Sequence, residues 1–176
     1  MTSADNSKIK FTTLKEVLGT ITDKENAWVV ILDELTDVHN VGAIIRSAVA
    51  TNVDAIIIAK HNQAPINETV IRTSAETAHL IPIIEMNVNE AIRVLKEHKF
   101  WAHGLFMDGS ETLWKSDLTG RVAIIVGSEG DGIADSTKKL CDFALQIPMD
   151  DRVESLNASV ATALVLYERL RQIKNK

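Results

Sequence analysis

The chain has 176 residues, 45% of them hydrophobic and 24% charged, and a formal net charge of −5. That size and apolar share fit one globular domain with a sizeable core, while no apolar run reaches membrane-spanning length and polar Met1–Lys10 is no secretory signal. One cysteine, Cys141, excludes an internal disulfide and fits a reducing cytoplasm.

The polar, aperiodic residues 1–10 read as a disordered lead-in, and Phe11–Leu18 as a short helix. Residues 1–27 form an expected N-terminal arm, partly disordered, ahead of a domain over residues 28–176. Trp28–Asp33 is apolar, β-branched and of strand length. The loop Glu34–His39 leads into a predicted helix over Asn40–Ala50, with Ile44, Ile45 and Ala48 on its apolar side. Asp54–Ala59 predicts a buried strand and Ile81–Ile84 a short one. Asn89–His98 is amphipathic, with Ala91, Val94 and Leu95 on one face. Phe100–Phe106, Arg121–Val126 and Phe143–Ile147 complete the strands. The last helix runs from about Leu156 to Gln172, with Leu156, Val160, Leu164, Tyr167 and Leu170 as one apolar stripe. Continuous apolar strands alternating with helices imply an α/β fold with a mostly parallel sheet covered on both faces.

Ligands of such sheets bind beyond the carboxyl ends of the strands, so the loops after Asp33, Val126 and Ile147 carry the interest. After the first, Asn40 is a candidate N-cap, and Gly42 permits close approach of a backbone or a ligand. Arg46, six residues on, is expected on roughly the same side of the helix as Asn40. Among Ile45, Ser47 and Ala48 it needs a partner, which a salt bridge or solvent would also supply. The second loop is Gly127-Ser128-Glu129-Gly130-Asp131-Gly132. Its G-x-x-G-x-G spacing is not the dinucleotide fingerprint, and Glu129 and Asp131 would repel phosphate. Such carboxylates suit a hydroxyl, an amine or a sulfonium, although a turn with solvated acids also accounts for the loop alone. The third loop follows Ile147-Pro148-Met149 and opens a helix on Ser155, Asn157 and Ser159, more small polar groups than one cap needs. The surplus points to a ligand gripped through amides and hydroxyls; taken alone, it is a capping cluster. His39, His61, His79, His98 and His103 lack metal-ligand spacing, so no metal is expected. Cys141, in an apolar stretch, reads as a buried small hydrophobe.

In order, Asn40-x-Gly42-x-x-x-Arg46, then Gly127-Ser128-Glu129-Gly130-x-Gly132, then Ile147-Pro148-Met149 with Ser155-Leu156-Asn157-x-Ser159-x-Ala161, closely resemble the three motifs of the SpoU/TrmH-type ribose 2′-O-methyltransferases of the SPOUT class. The resemblance covers nearly all of residues 28–172. Leu35–Ala43 and the pair Cys141-Asp142 are most similar to the subgroup that acts on guanosine in bacterial 23S rRNA. It implies a SPOUT-type α/β fold with a C-terminal deep trefoil knot, S-adenosylmethionine as methyl donor, RNA (rRNA above all) as substrate, and no metal or membrane. It also implies a homodimer packed through the C-terminal helix and the helix bearing Arg46, with both subunits near each active site. By motif matching, the donor contacts the backbone around Gly127, Ile147 and Leu156, with Ser128, Met149 and Asn157 in the same cofactor site. Arg46 and Asn40 match catalytic positions, with Glu129, Ser155 and Asn157 beside them. The family proposal makes Arg46 the base, which is awkward for a group that stays protonated. Either it loses its proton transiently, or it holds the adjacent phosphate and stabilises developing alkoxide while water or another group takes the proton; the second is the safer role.

Two departures stand out. The family's Ser-x-Gly-Ala element is replaced by Ser74-Ala75-Glu76-Thr77-Ala78, in a loop that borders the substrate side. Close relatives carry an N-terminal RNA-binding domain, whereas 27 residues precede the first strand here, and the acidic net charge agrees with its absence. Phosphate contacts would then fall to Lys60, Arg72, Arg152 and the cluster Arg169, Arg171, Lys174 and Lys176, a cluster that complements a helix dipole equally well. Three other readings stay open: a tRNA 2′-O-methyltransferase of the same family, a knotted RNA- or cofactor-binding module without turnover, and a nucleotide-binding α/β protein, which Glu129 and Asp131 disfavour.

Overall fold

Every strand pair in the protein is parallel, as the unbroken apolar runs require. The structure, a computed structural model, describes Ile9 and residues 11–174; the predicted lead-in falls almost wholly outside them. The elements run α1 (Leu14–Thr20), β1 (Ala27–Asp33), α2 (Val38–Ala50), β2 (Ala55–Ala59), α3 (Glu68–Thr73), β3 (Ile83–Met86), α4 (Val88–Glu97), β4 (Trp101–Leu105), β5 (Glu111–Thr112), β6 (Arg121–Gly127), α5 (Asp135–Lys138), β7 (Phe143–Gln146) and α6 (Ala158–Lys174). The seven strands form one sheet in the order β3-β2-β1-β6-β4-β7-β5. Among the described residues, no helix is long and apolar enough to cross a membrane.

Alternate residues of each strand serve two cores. Trp28, Val30 and Leu32 of β1 join Val122, Ile124 and Val126 of β6 under α2, α3 and α6. Val29 and Ile31 join Ala123 and Ile125 under α1 and α4. Every residue of β1 is buried, which explains why its sequence has no alternation. The segment ahead of β1 contributes to the second core: Thr13 and Glu16 close a capping box at the start of α1, and Leu14, Val17 and Leu18 are buried.

Three sequence expectations need correction and one, at Gly42, holds. Helix α2 begins at Val38, and its N-cap is Asp37, whose side chain accepts from the His39 amide. Asn40 is therefore not the cap but lies one turn inside. Gly42 does permit close approach, and its neighbour is helix α3: a Cβ there would lie 2.6 Å from Thr73 Cβ and 2.9 Å from the Val70 carbonyl oxygen. Three of the five residues in the expected stripe of the last helix face outward: Val160 is 49%, Leu164 39% and Tyr167 53% exposed. The core face of α6 is instead Ala161, Thr162, Val165, Leu166 and Arg169, whose polar and small members disguised it. Arg169 itself is no phosphate ligand. It is fully buried and donates to the Leu118 carbonyl, to that of Gly120 at 2.7 Å and to that of Ala27 at 3.2 Å. Its guanidinium also lies 4.7 Å over the Trp28 ring, and burial pushes its pKa down to about 10. Arg171 is taken up by Glu168 at 2.7 Å.

Candidate functional site

The carboxyl ends of β1, β6 and β7 meet at one edge of the sheet, and a chain of side-chain hydrogen bonds joins the loops that leave them. With Asp37 as cap, Asn40 turns inward and is 5% exposed. Its amide nitrogen donates to Glu129 Oε1 at 2.8 Å, and its oxygen accepts from Asn157 Nδ2 at 2.9 Å. Asn157 meanwhile caps α6: its Oδ1 accepts from the Ser159 amide at 2.9 Å, the Ser159 hydroxyl at 2.6 Å and the Val160 amide at 3.3 Å. One residue thus ends the third loop and ties it to the first, while Glu129 ties in the second. Asn157 is thus the one residue of the expected cap cluster that also joins the link between the loops.

The loop after β6 is drawn back on itself. Ser128 and Gly132 exchange backbone hydrogen bonds of 3.0 and 3.1 Å, and the Asp131 amide donates to Ser128 Oγ at 3.2 Å. Gly127 is required by this turn, because a Cβ there would fall 2.1 Å from the Gly132 carbonyl carbon. Gly132, at φ +68°, takes a conformation that favours glycine. Beneath the loop, Asp33 accepts from the Ala134 amide at 3.2 Å, and burial raises its carboxyl pKa.

The loops after β6 and β7 line a cavity of about 350 Å³. Gly127, Ser128, Glu129, Ile147, Met149, Ser155, Leu156 and Asn157, all expected at the site, line it. Asn40 supports it through Glu129 and Asn157. Arg46 is the exception. It is exposed, does not line the cavity and, among the described residues, its side chain makes no hydrogen bond or ion pair. Six residues turn a helix through about 600°, some 120° short of two turns, so Arg46 and Asn40 occupy different faces of α2, against the expectation that they share one.

Sequence reasoning missed one wall. Leu105 ends β4, Phe106, Met107 and Asp108 follow it, and Lys138 belongs to α5; all line the cavity. The missed signal was positional: β4 is one more parallel strand, and its exit, marked by the turn pair Asp108-Gly109, opens on the same edge. The altered element after α3 is folded tightly. Ser74 is fully buried and accepts from the Ala78 amide at 3.3 Å, while Ala75 (φ 53°) and Glu76 (φ 64°) are both left-handed. Cys141 is half-buried, with its thiol pKa pushed up to about 11, first by burial.

Comparison with known proteins follows this geometry. The model of the SpoU rRNA Methylase family matches residues 27–167. The 23S rRNA (guanosine-2′-O-)-methyltransferase RlmB of Xanthomonas campestris is 42% identical over 147 residues, covering 83% of this chain and 59% of the relative. The RlmB of Escherichia coli K12 is 39% identical over 153 residues, covering 86% and 63%. The chain therefore spans about three fifths of the length of these curated relatives. Among solved structures, the SpoU methyltransferase AviRb from Streptomyces viridochromogenes, in complex with AdoMet, superposes with a TM-score of 0.82 at 27% identity, over 89% of this chain and 62% of that one. A parallel sheet with two motif loops lining one cavity and the third tied to them through Asn40, matched along 27–167, makes this chain a member of the SpoU rRNA Methylase family.

Proposed function

We propose that this chain carries the catalytic domain of an S-adenosylmethionine-dependent RNA methyltransferase, which acts in the cytoplasm on a ribose 2′-hydroxyl of a guanosine in 23S rRNA. The observation that carries the reading is the Asn157–Asn40–Glu129 hydrogen-bonded link, whose two outer members line the cavity. The residues present fit the donor. Val126, Ile147 and Leu156 offer apolar wall to a base, while Asp108, Glu129 and Asp131 offer carboxylates to a sulfonium and an ammonium. The volume falls within the range of small-molecule sites. The curated relatives' names favour 23S rRNA over tRNA. Residues 28–176 would be the catalytic domain and residues 1–27 an arm. The family's trefoil knot belongs to the same proposal, supported by the return of residues 155–158 to a cavity they share with the loop after β6.

When bound, S-adenosylmethionine supplies an electrophilic methyl group on a sulfonium. The backbone around Gly127, Ile147 and Leu156 holds the donor, with Ser128 and Met149 completing the wall. Asn40 orients Glu129, which sets negative charge at the cationic end. Ser155, whose hydroxyl makes no hydrogen bond among the described residues, is available to the ribose. Arg46 offers a forked set of donors and no acceptor, so its part is to hold an RNA phosphate and stabilise negative charge developing on the 2′-oxygen, while the hydroxyl proton passes to water. Fixing hydroxyl and methyl in line supplies much of the acceleration.

An Arg46 that does not line its own cavity suits a homodimer in which α2 and α6 pack across the two-fold axis and bring both subunits to each site. The exposed stripe of Val160, Leu164 and Tyr167 supports such a contact. The test pairs calorimetric titration with S-adenosylhomocysteine and labelled methyl transfer to 23S rRNA and tRNA transcripts. Wild type and Arg46→Ala should both bind the product, and only wild type should methylate, on rRNA. Methylation of tRNA alone would redirect the substrate. Failure of the wild type to bind, with or without RNA, would overturn the reading.

A further inference from the structure

Among the described residues, the cavity has four charged side chains in its lining: the carboxylates Asp108, Glu129 and Asp131, and a single cation, Lys138. S-adenosylmethionine is charged in complementary fashion, with a sulfonium and an ammonium against one carboxylate. Three acids account for the two positive groups but would repel the third. We infer that Lys138 reads the α-carboxylate of the bound donor and thereby selects for the amino-acid end of the ligand; this rests on the function proposed above.

The surroundings of Lys138 support that role. Its ammonium makes no ion pair or hydrogen bond among the described residues, and lies 5.5 Å from the centre of the Phe106 ring. Two other lysines are taken up: Lys96 by Asp142 at 2.7 Å, and Lys24 by Asp54. Phe106 also lines the cavity, and it is seated firmly, since a Cβ on Gly104 would lie 2.5 Å from its ring. A cation held against an aromatic ring is directed while keeping its donors available. The backbone beneath is fixed as well. Thr137 is 2% exposed and its hydroxyl donates to Asn89 Oδ1 at 3.0 Å, and Asn89 Nδ2 donates to Ser136 Oγ at 3.1 Å. The adjacent Lys139 has similar charge and exposure but does not line the cavity, so it separates contact from general electrostatics.

The test is calorimetric titration with S-adenosylmethionine and with its decarboxylated form, which lacks only the carboxylate. Lys138 is exposed, so the contribution is that of a screened pair: wild type should prefer the intact donor by about fivefold. Lys138→Met keeps an apolar stem on the Phe106 ring and should bring the two ligands to within about twofold, by weakening the intact donor alone. Lys138→Arg and Lys139→Met should keep the wild-type preference. Undiminished affinity of Lys138→Met for the decarboxylated ligand shows that the variant is folded. An equal preference in wild type and Lys138→Met, or none in wild type, overturns the inference and leaves the cofactor reading intact. Binding of neither ligand by wild type overturns both.

Discussion

Replacing Glu76 by glycine should stabilise the protein. Glu76 sits at φ 64°, ψ 3°, where an L residue costs roughly 1–2 kcal/mol over its right-handed conformation. Glycine removes that cost but adds about 0.5–1 kcal/mol of unfolded-state entropy. Little else is lost: the side chain is 75% exposed and reaches only His79 at 4.0 Å, a pair worth at most a few tenths of a kcal/mol. The net gain is about 0.5–1 kcal/mol, or roughly 2 °C in Tm for a chain of this size. Urea unfolding followed by circular dichroism reads it directly: the midpoint should rise with an unchanged slope. Ala75→Gly, at φ 53°, should act in the same direction. Asn52, at φ 61°, provides the contrast, since asparagine tolerates this region and Asn52→Gly should bring no gain. A midpoint for Glu76→Gly that is unchanged or lower, at equal slope, would refute the view that this departure from the family's glycine is strained.

Three further outcomes are expected. Glu129→Gln keeps an acceptor for Asn40 but removes the charge, so affinity for S-adenosylmethionine should fall about tenfold while that for neutral-sulfur S-adenosylhomocysteine stays within about twofold; parallel losses in calorimetry would count against a role at the sulfonium. On the proposed homodimer, wild type should sediment as a dimer and Leu164→Glu, which places charge on the exposed stripe of α6, as a monomer at the same concentration; an unchanged dimer would move the interface elsewhere, and a monomeric wild type would overturn the dimer. His103 is 2% exposed and stacks on Phe143 with ring centres 4.6 Å apart, and burial pushes its pKa from 6.5 to about 4. The unfolded chain takes up a proton that the folded chain refuses, so stability should be lost as pH falls from 6.5 towards 4, by up to about 3 kcal/mol; His103→Phe should flatten that limb of the urea-midpoint profile, and an identical acid limb would show that other groups set it.

The strands and main helices were legible because apolar runs such as Trp28–Leu32 and Ala55–Ala59 are of strand length and unbroken by polar residues, the pattern of strands buried on both faces. The motif residues were legible too, as eight of them line one cavity. What escaped depends on contacts distant in sequence. Asn40 looked like a cap because its conversation with Glu129 and Asn157 crosses 89 and 117 residues. Helix α6 was read on its more apolar stripe, while its core face carried Thr162 and Arg169, whose burial depends on carbonyl partners at Leu118, Gly120 and Ala27. The pairing of six residues with two helical turns misplaced Arg46 by a third of a revolution. Strand β5 has two residues, too few to show a period, and α3 and α5 are likewise shorter than a reliable helical pattern.

Arg169 fixes more than a helix face. Asn157 and Arg169 are twelve residues apart, about 18 Å along α6. One end is moored to Asn40 at the carboxyl edge of the sheet, the other to carbonyls at its amino edge. A rod held at both ends does not slide or swing, so α6 acts as a strut. Residues 149–156 just before it differ, since among the described residues their hydrogen bonds are internal, from Arg152 and Val153 to Asp150. Met149, Ser155 and Leu156 of that stretch line the cavity, so this wall is less firmly tied to the frame than α6 is. Substitutions at Asp150 or Arg152 would alter how fast a small molecule enters and leaves while sparing the frame that holds it, which gives evolution a tuning screw for exchange kinetics separate from the one for folding.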